Sequence, residues 1–94
     1  MTNTEAFTHI RNQFNELDKN LLILLSARVQ LSKKIARLKK QYKLDIEQPD
    51  VWQERFDSRL KESEQLQIDK TYLKNVFDLI HQESIRIQKQ EIEK

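Results

Sequence analysis

Apolar residues in the first half of the chain recur with alternating spacings of three and four. They are Phe7, Ile10, Phe14, Leu17, Leu21, Leu24, Leu31, Ile35, Leu38 and Tyr42. Arg28 is the one charged residue at a position of this series. The pattern is typical of one helical seam and predicts a first helix from about residue 5 to about residue 42. At 1.5 Å per residue, such a helix is about 55 Å long.

Two shorter helices are predicted after the first, at about residues 49–66 and 69–91. The earlier one begins with Pro49, whose missing N–H has no intrahelical partner in a first turn. Asp69 is placed to cap the later one, and Ser84 is the polar residue in its seam. Their apolar faces consist of Trp52, Phe56 and Leu60, and of Leu73, Phe77, Ile80 and Ile87.

The lengths of these helices predict an intertwined homodimer. The predicted fold class is all-α, a single domain of residues 1–94 with three helices, one of them very long. A globule of this size is only about 30 Å across, so two short helices cannot cover a helix of about 55 Å. Pairing two long helices, with the shorter ones packed across both chains, buries the seam. The alternative is a long helix that frays after about residue 25.

Composition excludes several kinds of site. The sequence contains no glycine and no cysteine, which removes Gly-rich phosphate loops, disulfides and thiolate metal sites. Two histidines far apart in sequence do not predict a zinc site. No apolar run approaches the ~20 residues of a membrane span, and the N-terminus does not resemble a signal peptide. We therefore expect a cytoplasmic protein with no membrane span and no zinc or thiolate metal site.

Basic residues are concentrated in the second half of the predicted first helix. The stretch from Lys19 to Leu44 contains no acidic residue and eight basic ones. They are Lys19, Arg28, Lys33, Lys34, Arg37, Lys39, Lys40 and Lys43. Such a run would steer an anion toward the helix. Because the net charge is only +2 and no recognition motif is present, we do not expect nucleic acid as a partner.

Arg28 is the strongest candidate for chemistry. A guanidinium in an apolar seam needs a partner, either a carboxylate of another helix or an anionic ligand. Lys39 lies about 16 Å further along nearly the same face, which leaves space for a small molecule. Arg11 could join them from a second chain if the long helices run antiparallel. Ser84 and Gln88, four residues apart on the third helix, could add hydrogen bonds.

These residues together resemble the all-helical AroQ class of chorismate mutases. The most specific element is Leu17-Asp18-Lys19-Asn20-Leu21-Leu22-Ile23-Leu24-Leu25-Ser26-Ala27-Arg28, which reads L-D-x-x-L-L-x-L-L-x-x-R. The other matches are Arg11, Lys39, Ser84 and Gln88. The resemblance spans about residues 7 to 90. It implies an intertwined dimer of three-helix protomers that converts chorismate to prephenate by a Claisen rearrangement, without a cofactor.

The resemblance also implies a role for each matched residue. Arg28 would hold one carboxylate of chorismate, and Arg11 of the other protomer would hold the second. Lys39 and Gln88 would donate hydrogen bonds to the ether oxygen of the breaking bond, and Ser84 would lie near the ring. The implied catalytic residues are therefore Lys39, Gln88 and Arg28, and the implied ligand is a small dicarboxylate.

The start of the second helix departs from the family pattern. Typical members carry Asp-x-x-Arg-Glu, whereas the aligned positions here are Gln48, Val51 and Trp52. Val51 and Trp52 would then form an apolar wall of the substrate site, although Trp52 can equally anchor the core. Isochorismate pyruvate-lyases and 4-amino-4-deoxychorismate mutases are similar to this chain in the same stretch. Both activities therefore stay open, as does a mutase-like dimer without catalysis.

Overall fold

Three α-helices account for most of the chain in the computed structural model, which describes residues 2–94. They are α1 (Asn3–Gln41), α2 (Pro49–Gln65) and α3 (Lys70–Ile92). No strand occurs in the described range, so the prediction of an all-α fold with three helices is confirmed. Within that range no helix is both long and apolar enough to cross a membrane.

The N-termini of α1 and α3 are capped by side chains. The backbone N–H of Thr2 donates to Glu5 Oε2 at 3.2 Å, and the N–H of Glu5 donates to Thr2 Oγ1 at 3.1 Å. This reciprocal pair is a capping box, which satisfies two N–H groups that have no partner within the helix. At α3, the carboxylate of Asp69 accepts from the N–H of Tyr72 at 2.9 Å. Both helices therefore begin where short polar side chains replace the missing backbone acceptors.

The C-terminal ends of α1 and α2 use left-handed residues other than glycine. Lys43 has φ 58° and Gln67 has φ 59°. The N–H of Leu44 donates to the carbonyl of Lys39 at 2.8 Å, and that of Ile68 donates to the carbonyl of Ser63 at 3.1 Å. These bonds close both helices in the manner of a Schellman motif, which usually places glycine at the left-handed position. The chain contains no glycine, so each end carries the steric cost of a Cβ there.

Gln67→Gly should therefore stabilise the protein. Removing the Cβ at a left-handed position relieves roughly 1 kcal/mol of strain, partly offset by the greater freedom of glycine in the unfolded chain. Chemical denaturation measures the change in unfolding free energy. The control is Glu62→Gly, at an exposed position inside α2, which should lose about 1 kcal/mol. Equal destabilisation by the two glycines would contradict this explanation.

The chain packs as two compact units, Met1–Leu31 and Ser32–Lys94, which are described separately. The described part of the first unit belongs almost entirely to α1, and its large apolar side chains are exposed. Five consecutive apolar residues, Leu21 to Leu25, extend around the helix, and Leu22 and Ile23 are each 66% exposed. A helix that is apolar on every side is stable in water only when other protein covers it.

The second unit has a small core formed by α2, α3 and the last turns of α1. Its buried apolar residues are Ala36, Phe56, Leu73, Ile85 and Ile87. The ring of Trp52 stacks on that of Phe56, with centroids 5.2 Å apart and an angle of 4° between the planes. Trp52 also lies 5.1 Å from the ring of His81 on α3. About two helical turns further along α2, the guanidinium of Arg59 lies 5.1 Å from the Phe77 ring centroid. Because the contacts move backward along α3 as they move forward along α2, the two helices are antiparallel.

Candidate active site

The last three turns of α1 present a buried polar strip to α3. Ser32 and Lys39 share this strip with Ala36, and all three side chains are buried. Opposite them, Ser84 Oγ lies 2.7 Å from Ser32 Oγ, and Gln88 Oε1 accepts from Lys39 Nζ at 2.8 Å. From Ser32 to Lys39 along α1, the contacted residue changes from Ser84 to Gln88 along α3. This end of α1 therefore runs parallel to α3. Ala36 is fully buried, and its short side chain lets the helices approach closely.

These polar side chains form one continuous hydrogen-bonded network. Gln88 Nε2 donates to Ser84 Oγ at 3.0 Å, which links the two α3 residues to each other. Lys39 Nζ also donates to the backbone carbonyl of Ile46, in the connection between α1 and α2, at 2.5 Å. Throughout residues 2–94, every buried side-chain nitrogen and oxygen has a hydrogen-bond partner. A fully satisfied buried network fixes the orientation of its members.

Two donors of the network remain for a ligand. The bonds above use two of the three ammonium hydrogens of Lys39 and one of the two amide hydrogens of Gln88. The Lys39 side chain holds the Gln88 amide in one orientation, because its Oε1 must face the ammonium. An acceptor atom near both residues could therefore receive one charged and one neutral hydrogen bond from groups that are already in place.

Lys39 is a buried cation without a compensating carboxylate. It is 8% exposed, and no ion pair involves it within the part of the chain that the structure describes. Burial, and to a smaller extent the positive charge of Arg55, lower the pKa of Lys39 below its ordinary value of 10.5. Both causes disfavour the charged ammonium, and a bound anion would reverse that effect. The electrostatics of this strip therefore favour an anionic ligand.

The two apolar residues at the start of α2 have different surroundings. Val51 is 42% exposed, whereas Trp52 is half-buried between Phe56 and His81. The ring contacts of Trp52 support its alternative interpretation as a packing residue between α2 and α3. A substrate-binding role for Val51 and Trp52 stays a prediction.

The two arginines of the predicted site belong to the first unit. The guanidinium of Arg11 lies 5.5 Å from the Phe7 ring centroid, and Arg11 and Arg28 are both exposed in the single chain. The second unit alone brings together Lys39, Ser84 and Gln88. The carboxylate-binding roles of Arg11 and Arg28 stay predictions.

Two participants of the network, Ser32 and the carbonyl of Ile46, were not predicted as site residues. Ser32 has a signal in the sequence, because it lies seven residues before Lys39 and so shares its face. The carbonyl of Ile46 has none, since a backbone group carries no sequence pattern.

Comparison with known proteins identifies the family. Residues 10–89 match the model of the family described as chorismate mutase type II. The chain is also 33% identical, over all 94 of its residues, to the bifunctional chorismate mutase/prephenate dehydratase of Buchnera aphidicola subsp. Baizongia pistaciae. It spans 25% of the length of that relative. No solved structure matches the chain.

The chain belongs to the chorismate mutase type II family, because the match covers most of its length. This confirms the resemblance drawn from Leu17 to Arg28 and the later matched residues.

Proposed function

We propose that the protein converts chorismate to prephenate through a Claisen rearrangement. Family membership supports this reaction in general. The observation that carries the proposal is the buried contact between Lys39 Nζ and Gln88 Oε1, with one hydrogen on each residue left for a substrate. Lys39 and Gln88 then donate to the ether oxygen of the substrate, and Arg11 and Arg28 hold its carboxylates.

The reaction requires positioning and charge rather than a nucleophile or a base. As the carbon–oxygen bond breaks, negative charge develops on the ether oxygen. A fixed ammonium and a fixed amide stabilise that charge without reorganising, and the buried site keeps competing water away. Binding also selects the compact conformer in which the two carbon atoms that form the new bond lie close together. Each of these contributions comes from side chains that the chain itself supplies.

We propose that a second copy of the chain buries the exposed apolar side chains of the first unit. The run Leu21–Leu25 is apolar around the whole helix, so one neighbouring helix would leave part of it in water. An antiparallel partner α1, together with the shorter helices of that partner, would cover several sides at once. The same arrangement would bring Arg11 of one protomer to the site of the other. The homodimer and its shared site thus form one proposal.

The dimer predicts that thermal stability depends on protein concentration. If folding and association are coupled, the midpoint of thermal unfolding should rise as concentration rises. Leu24→Glu places a charge in the seam and should lower the midpoint strongly, whereas Asn20→Glu, at an exposed polar position of the same helix, should not. A folded monomer in sedimentation experiments, with a thermal midpoint that does not change with protein concentration, would contradict both the dimer and the site shared between two chains.

A second candidate activity is favoured by the start of α2. Val51 and Trp52 offer no charged group for a carboxylate and no acceptor for a ring hydroxyl. Isochorismate pyruvate-lyase or 4-amino-4-deoxychorismate mutase activity would account for that difference. Assays of the purified protein with chorismate, isochorismate and the 4-amino analogue in parallel decide among them. Prephenate as the main product supports our proposal. Salicylate plus pyruvate would show that the protein is an isochorismate pyruvate-lyase instead. No turnover of any substrate indicates a non-catalytic dimer.

A further inference from the structure

The side-chain amide of Gln88 is held at both of its ends. Its Oε1 accepts from Lys39 Nζ at 2.8 Å, and its Nε2 donates to Ser84 Oγ at 3.0 Å. The last torsion of a glutamine side chain has broad minima, so a contact at Oε1 alone would leave the amide plane free to turn. The bond to Ser84 therefore decides where the second hydrogen of Nε2 points.

The contact at Nε2 depends on the orientation of the Ser84 hydroxyl. A serine inside a helix can turn its hydroxyl back onto a carbonyl of the preceding turn. Two serines of α2 do so: Ser58 Oγ donates to the carbonyl four residues earlier at 3.2 Å, and Ser63 Oγ donates to the carbonyl three residues earlier at 2.7 Å. In the same orientation, Ser84 would direct its hydroxyl at its own helix instead of holding Gln88.

Ser32 supplies the contact that draws the Ser84 hydroxyl toward α1. Ser32 Oγ lies 2.7 Å from Ser84 Oγ, although 52 residues separate the two in sequence. Because Ser32 is only 5% exposed, water has little access to replace this contact. The series of hydrogen bonds from Ser32 through Ser84 and Gln88 to Lys39 thus begins and ends on α1, with both α3 residues fixed between.

We propose that Ser32 is a positioning residue, whose hydroxyl keeps Ser84 turned away from its own helix and so fixes the direction in which the Gln88 amide donates to the substrate. The inference rests on the proposed function and adds to it a residue that acts without touching the substrate. Fixed donors stabilise a developing charge because they need not reorient as it forms. Ser32 therefore contributes to kcat, through the orientation of Gln88, more than to substrate affinity.

The experiment compares Ser32→Ala with Ser63→Ala. Both remove one buried serine hydroxyl, but that of Ser63 donates to the carbonyl of Leu60 within α2, outside the network. Ser32→Ala should lower kcat for chorismate about 3- to 10-fold, the usual worth of one neutral hydrogen bond, with KM within about twofold of the wild type. Ser63→Ala should leave both constants within about twofold. An unchanged kcat in Ser32→Ala, or equal losses in the two variants, would overturn the inference.

Two double variants separate this role from a merely structural one. In a Ser84→Ala or a Gln88→Ala background the series of hydrogen bonds is already broken, so adding Ser32→Ala should lower kcat no further. A structural role would give the same additional loss in every background, because α1 would pack less well on α3 whether or not Gln88 is present. An additional loss of about threefold or more in the Gln88→Ala background contradicts the proposal.

A measurement on the substrate-free protein distinguishes failure of this inference from failure of the proposed function. Nuclear magnetic resonance relaxation reports the picosecond-to-nanosecond order of the Gln88 side-chain amide. That order should fall in Ser32→Ala and stay unchanged in Ser63→Ala. If the wild type turns over none of the three substrates and the order falls as expected, only the proposed function fails. An amide whose order does not change in Ser32→Ala overturns the inference, whether or not the wild type is active.

Discussion

Lys39→Ala should lower kcat about 100- to 1,000-fold, the usual cost of removing one fixed donor to a developing oxyanion. KM should change much less, because the contact strengthens as the ether bond breaks. Lys39→Arg should recover little, since a planar guanidinium does not fit where Nζ bridges Gln88 and the carbonyl of Ile46. Steady-state kinetics with chorismate measures all of these effects.

The control for Lys39 is its neighbour in the sequence. Lys40 is exposed, and its ammonium donates to the carbonyl of Ile92 at 3.1 Å. Lys40→Ala removes the same charge from the same helix and should leave kcat nearly unchanged. Similar losses of kcat in both variants would mean that the overall positive charge of the helix matters rather than Lys39 itself. An unchanged kcat in Lys39→Ala would mean that another residue stabilises the charge on the ether oxygen.

Arg28→Ala should abolish measurable turnover and leave a folded helical protein. Its proposed task is to hold a carboxylate of the substrate, so the variant loses both affinity and orientation. Circular dichroism and the thermal midpoint report the fold, and chorismate consumption reports the activity of the same sample. Arg37→Ala is the matched control, because Arg37 is an exposed arginine of the same helix whose guanidinium lies 2.9 Å from Glu91.

The same variant tests the structural interpretation of Arg28. If its guanidinium is half of a buried ion pair in the assembled protein, removing it strands a carboxylate and costs roughly 3–5 kcal/mol. The thermal midpoint of the substrate-free variant would then fall sharply. A large fall of that kind, with activity retained in the remaining folded protein, would contradict a ligand-binding role.

The helices could be predicted from the sequence because each carries a local signal. Alternating spacings of three and four define the seam of α1, and Pro49 and Asp69 begin the helices that follow. Relations between helices lack such a signal. Spacing puts Ser84 and Gln88 on one face, yet it does not say that this face meets Lys39. The family resemblance supplied that pairing, because it carries information about contacts between distant segments.

The start of α2 marks the limit of prediction from spacing. Trp52, Phe56 and Leu60 share a face whether that face lines a ligand site or packs on α3, so both interpretations stayed open. The stacking of Trp52 on Phe56 and its contact with the ring of His81 favour packing.

The buried network has a consequence for the order of folding events. Ser32 contacts Ser84 across 52 residues, and Lys39 contacts Gln88 across 49, whereas each helix forms from neighbouring residues. Contacts between distant residues carry the larger entropic cost of closing a long segment of chain. We therefore expect helical signal to appear early in refolding and affinity for chorismate to appear later. The residues proposed for catalysis would be assembled in one of the last steps, which a nascent or partly unfolded chain has not reached.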